Sequence, residues 1–207
     1  MSYTPNYKLA AEKAIEVLEE SEITQAPIVL RKIIKRYSGD IKVVSYSKLM
    51  KQVGRTRSEI ITTFGSDLGF CAYEPSTNHF IIYYNDSLSK EWCRFTVAHE
   101  LGHIFLEHFK IAGTNVLTCT SVSQKEYMEY EKEANVFARN LLSPAPLALD
   151  IIDDDDEEYE KSADLQSAFS ITETASYMRL KYLHRDLRDY SDKMKAYVET
   201  IRYSPLK

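Results

Sequence analysis

The sequence predicts an α+β fold: a small, mostly antiparallel sheet of about three strands packed on a buried helix, with further helices toward both ends. Three observations lead there. An apolar, proline-free stretch over residues 92–109 carries His99 and His103 one helical turn apart. Segments rich in aromatic and β-branched residues lie between residues 41 and 85, two of them separated by the turn-forming EPSTN. Apolar residues recur at helical spacing near both ends of the chain.

Leu9, Ala10, Ala14, Ile15, Val17 and Leu18 mark a first helix, and Ala26-Pro27 breaks the pattern before a second periodic run, IVLRKIIKRY. Residues 41–46 read as a short strand, and residues 69–73 and 79–85 as a hairpin. In residues 92–109, Phe95, Val97, Ala98, Leu101, Ile104 and Phe105 surround the helix, with Ser87 or Ser89 as its cap. Residues 126–142 place Tyr130, Ala134, Phe137, Ala138, Leu141 and Leu142 on one side, and Ser143-Pro144 stops that helix. The run DDDDEEYE repels itself and reads as a solvated boundary, without the spaced ligands and glycine of a calcium loop. Beyond it, ADLQSAFSITETASYMRLKYL reads as helix, short turn and helix, followed by a helical tail. The expected organisation is a main domain over residues 1–149, an acidic linker or loop at 150–160 and a helical region at 161–207 that serves packing or partner recognition.

Composition narrows the function classes. With 44% hydrophobic and 28% charged residues and only six glycines, the chain has the make-up of a folded globular protein. A net charge of −5 and the lack of a long basic block argue against a dedicated nucleic-acid binder. No apolar run reaches the roughly 18 residues of a membrane span, and no signal-peptide pattern opens the chain. Three widely spaced cysteines without a CxxC pair fit a reducing cytoplasm.

His99-Glu100-Leu101-Gly102-His103 is an HExxH motif. On a helix, four-residue spacing turns both imidazoles to one face, where both reach one zinc ion at about 2.0–2.1 Å. Glu100 is offset by one position, so it reaches a water beside the metal without ligating, and acts as the base. Two histidines and a glutamate are costly in so apolar a helix unless a metal resolves the cost. A third ligand must come from elsewhere, because Leu106 and Phe109 stand where an extended HExxHxxGxxH motif has its glycine and third histidine. The donor helix is YEKEANVFARNLLSP: Glu131 is the expected ligand, Glu133 the alternative, and Asn135, four residues from Glu131, a supporting hydrogen-bond partner. Glu107 and His108 are expected further along the same rod, as ordinary helix residues or supporting groups, and the isolated His79 and His184 carry no assigned role.

These motifs together, an asparagine-ending strand, RFTVAHELGH, E-x-E-A-N-x-F-A-x-x-L-L-x-P and LQSAFSITETASYMRLKYL, resemble the ImmA/IrrE family of metallo-endopeptidases over roughly residues 5 to 190. The resemblance implies a gluzincin-like, zincin-type fold, Zn2+ on His99, His103 and Glu131, Glu100 as base, and a cytoplasmic helix-turn-helix repressor as substrate, whose cleavage derepresses mobile-element, prophage or stress genes. It also matches Asn85 and Arg94 to positions near the active helix, where Asn85 would bind substrate backbone along the sheet edge. Some relatives carry an N-terminal helix-turn-helix domain that is not expected within this chain's length, and the acidic run is not a family feature. The alternatives are a non-catalytic antirepressor with a structural zinc site, or a DNA-associated regulator using residues 165–183 with Arg179, Lys181, Arg185 and Arg188 on phosphate.

Overall fold

A computed structural model describes residues 3–117 and 122–203. In chain order its elements are α1 (Tyr7–Glu20), β1 (Gln25–Ala26), α2 (Leu30–Arg36), β2 (Ile41–Ser45), α3 (Tyr46–Val53), α4 (Arg57–Phe64), β3 (Gly69–Glu74), β4 (His79–Tyr84), α5 (Lys90–Phe105), α6 (His108–Ala112), α7 (Gln124–Leu142), α8 (Ala145–Ile151), α9 (Glu158–Phe169), α10 (Glu173–Asp189), α11 (Asp192–Val198) and β5 (Arg202–Tyr203). The α+β expectation holds, and so does the three-stranded sheet, with strand order β2-β4-β3. The sheet is mixed rather than mostly antiparallel: β3 and β4 form the expected hairpin, while β2 runs parallel to β4 with Ile41 opposite Phe80. A parallel neighbour requires a crossover, and α3, α4 and β3 supply it. A separate short parallel pair joins β1 to β5.

Each of the two long central helices is set by local chemistry. Ser89 caps α5 by accepting from the Trp92 amide, and Glu91 in the first turn complements the helix dipole. Ser123 and Glu126 form a reciprocal capping box at the start of α7. Their apolar faces meet: Ala98 and Leu101 of α5 and Phe137, Ala138 and Leu141 of α7 are fully buried. Full burial contributes about 1.5–3 kcal/mol for each large apolar side chain. The crossing is close because Gly102 faces Ala134, where a Cβ would sit 3.0 Å from the Ala134 Cα and 3.2 Å from its carbonyl oxygen. Gly102→Val should therefore force the two helices apart and lower stability by about 1–3 kcal/mol in urea unfolding, and it should also separate His99 and His103 on α5 from Glu131 on α7, the residues expected to share a metal. An unchanged unfolding midpoint would show that the crossing has slack.

The expectation of one helix over residues 92–109 needs correction. The α-helix ends at Phe105, Leu106 caps it, and Glu107 adopts a left-handed conformation (φ 56°) from which α6 starts in a new direction. The helices α3 and α4, absent from the sequence reading, hold to the sheet through a second apolar cluster of Tyr46, Leu49, Ile60 and Phe70, with Phe64 stacked on Phe70 at 3.9 Å.

The boundary expected at 150–160 falls on an exposed turn between α8 and α9, and the helices after it join the same core as α1, α5 and α7 through Leu165, Phe169 and Leu183. A buried polar cluster ties that region to α7. Asp186 accepts from Arg139 (2.8 and 3.2 Å) and Arg179 (3.0 Å), and Arg179 also donates to Ser143, to Asn140 and to the Arg139 carbonyl. Arg179 is 0% exposed, so it cannot meet phosphate, and Arg185 is engaged by Asp186. Among the described residues no helix is long and apolar enough to cross a membrane. Cys71 and Cys93 are free thiols, and Cys119 lies outside the described residues.

Candidate metal centre

His99 emerges from the middle of α5 and His103 from its last turn, and Glu131 from α7, so the close crossing of the two helices brings all three together. The two Nε2 atoms are 3.0 Å apart. Glu131 Oε2 lies 3.3 Å from His99 Nε2, and its Oε1 3.3 Å from His103 Nε2. Tetrahedral ligation at about 2.0–2.2 Å requires donor atoms about 3.3–3.5 Å apart, so the spacing fits one divalent ion. Two imidazole nitrogens and a carboxylate are the donor set of such a site, and the three residues can hold a metal together.

Their surroundings favour ligation. Asn135, expected to support the site, places its Oδ1 3.1 Å from His99 Nδ1. An amide oxygen only accepts, so His99 donates from Nδ1 and keeps the Nε2 lone pair for the metal. The alternative ligand Glu133 is excluded by direction: its carboxylate points to the other side of α7, where it meets His108, Tyr3 and the Asn6 amide. Of the two glutamates, Glu131 is the one facing the histidines.

The electrostatics follow from burial and convergence. Burial opposes charge on His99, but Glu131, Glu100 and Asn135 outweigh it and raise the ring to about 9. Burial lowers His103 to about 4, with the charge of His99 acting in the same sense and Glu131 opposing. Glu131 feels the same ion pair from its other end: despite burial, His103 and His99 hold its carboxyl far below the usual carboxylate range. Glu100 is not among the groups whose donor atoms converge. Burial, reinforced by Glu131 and opposed by His99 and the Cys71 backbone amide, raises it to about 7. A carboxyl poised near neutrality can both take up and release a proton.

All four residues line a cleft of about 530 Å³. One wall is the end of α4 and the loop after it, Thr62 through Ser66; the other carries Tyr127, Glu131 and Asn135 of α7, with Phe95 and Leu117 adding apolar surface. A smaller pocket of about 170 Å³ adjoins it, sharing Phe95 and Asn135 and otherwise lined by groups that include Ala138, Leu142, Ile171 and Met178.

Asn85 and Arg94 do not join the site. Asn85 follows the central strand rather than the edge strand, and its amide is consumed by the Asp67 carbonyl and by Ser87. Arg94 donates to the carbonyls of Phe169 and Ser170 and so fastens α5 to the end of α9. One feature of the site escapes the sequence reading, the α4 wall, and a second, the approach of His108 to His103, is left undecided by it. The wall had a signal, the capping box Thr56–Glu59 with Gly65 closing the helix. His108 had none, since no glycine marks the turn at Glu107.

A mixed α+β fold holding a helix-borne His-His-Glu site, with an acid beside it in a cleft, defines the class of HExxH metal-site proteins. The chain belongs to the peptidase M78 family, matching its IrrE N-terminal-like domain over residues 55–181. It is also 31% identical over 78 residues to Metallopeptidase ImmA of Bacillus subtilis (strain 168). That match spans 38% of this chain and 43% of the relative's length.

Proposed function

We propose that the protein is a zinc-dependent endopeptidase that cuts a peptide bond in a cytoplasmic helix-turn-helix repressor, releasing mobile-element, prophage or stress genes from repression. The observation that carries this reading is the convergence of His99, His103 and Glu131 at 3.0–3.3 Å on the wall of a cleft that also contains Glu100. Zinc, when bound, supplies Lewis acidity that makes water nucleophilic near neutral pH and polarises a carbonyl. Glu100 accepts the proton of the attacking water and returns it to the departing amine, a task suited to a carboxyl raised to about 7. Asn135 keeps the His99 ring turned toward the metal. The open cleft takes an extended segment, and the adjoining pocket takes an apolar side chain from it.

The repressor target rests on the family resemblance and on the chain's acidic charge, which leaves DNA contact to the partner. The test is incubation of the zinc-loaded protein with helix-turn-helix repressors from the same genome, starting with any encoded beside its gene, with products read by mass spectrometry. A single cut that a chelator abolishes and zinc restores is the expected result; an intact repressor with full zinc occupancy would overturn the reading.

A further inference from the structure

His108 is 0% exposed and Glu133 is 1% exposed, two ionisable groups buried behind the metal centre that neither ligate nor reach the cleft. The turn at Glu107 folds α6 back so that His108 Nδ1 lies 2.9 Å from His103 Nδ1, while His108 Nε2 lies 3.2 Å from Glu133 Oε2. The Tyr3 hydroxyl and the Asn6 backbone amide both donate to Glu133, and the Tyr3 ring packs edge-on against His108 at 6.4 Å.

Hydrogen-bond chemistry orders the protons along this chain. The Glu133 carboxylate, already accepting from two donors, accepts from His108 Nε2 as well. A neutral His108 then has its lone pair on Nδ1, so His103 must donate from its own Nδ1. That leaves the lone pair of His103 on Nε2, the atom that faces His99 and Glu131.

We propose that Glu133 and His108 are positioning residues: the relay Glu133–His108–His103, fastened at its far end by Tyr3 and Asn6, fixes the ring and tautomer of His103 for metal binding. The N-terminal segment thereby supports the metal centre from behind. The inference rests on the metal site of the preceding section but not on the peptidase reading, and partners of this kind alter metal affinity by about 10–100-fold.

The test is zinc affinity, measured without substrate by competition with a chromophoric chelator. His108→Leu, which removes the acceptor, should weaken zinc binding about 10–100-fold, and His108→Gln, whose side-chain oxygen can accept from His103, should restore most of it. A purely structural histidine would give equal losses for both variants, and that result, or wild-type affinity in His108→Leu, overturns the proposal. If His108→Leu does not fold, long-range ¹H–¹⁵N correlation of the wild-type imidazoles still decides: the Nδ1–H tautomer of His103 is expected, and the Nε2–H tautomer overturns the relay. A protein that binds zinc through an intact relay but cuts no repressor would sink the peptidase reading alone.

Discussion

Glu100→Gln should lose about 10²–10⁴-fold in kcat, the usual contribution of a positioned acid–base group, while zinc content and fold stay intact. The amide keeps the shape of the carboxyl and can still accept from the Cys71 backbone amide, but it cannot take up a proton. Stability should hold or rise, because burial makes the charged form of Glu100 unfavourable and the variant carries no charge. Cleavage rates under zinc saturation, with a thermal melt on the same sample, separate the two effects. Retained cleavage would remove Glu100 from the chemistry, whereas derepression that persists in the variant without any cleavage would make the non-catalytic antirepressor the better account.

The second large effect lies in the polar cluster behind the cleft. Asp186→Asn should destabilise the protein by about 3–5 kcal/mol, since breaking a buried pair leaves uncompensated charge. The charges concerned are Arg179 at 0% and Arg139 at 8% exposure, with Arg185 also paired to Asp186 and the Tyr190 hydroxyl in the same cluster through Asn140. The cluster also predicts a pH dependence. Burial opposes ionisation of Asp186, but Arg139, Arg179 and Arg185 outweigh it and hold its pKa below the ordinary value. A depressed folded pKa means that this stabilisation is present above the unfolded carboxyl's pKa of about 3.9 and is lost as pH falls through the lower folded value. Urea unfolding of wild type from neutral pH down through that window should show the loss, and Asp186→Asn should show a smaller one. A variant as stable as wild type at neutral pH would mean that the arginines find other partners.

The candidate donors could be picked out in the sequence because their grouping rests on helical spacing. Four residues separate His99 from His103 and Glu131 from Asn135, and a helix turns each pair to a common face whatever the rest of the chain does. The choice between Glu131 and Glu133 is tertiary: both lie on α7, and only the position of α5 on one side and of Tyr3 and Asn6 on the other assigns them. The contact of His108 with His103 was hidden for a related reason, since His108 reaches the site only through a left-handed turn at a non-glycine residue, a conformation that local sequence does not signal. The parallel pairing of β2 was equally out of reach, because residue alternation along a strand does not encode its neighbour's direction. Asn85 and Arg94 share the reverse lesson: polar residues close to the active helix in sequence are spent on holding a loop and on pinning α9.

The most direct test of the central claim is the zinc content of the purified chain and of its ligand variants, determined by mass spectrometry of the metal after dialysis. One zinc per chain in the wild type, lost in His99→Ala and His103→Ala and sharply reduced in Glu131→Ala, is the predicted result. A wild type without stoichiometric metal, or a zinc content untouched by Glu131→Ala, would contradict it.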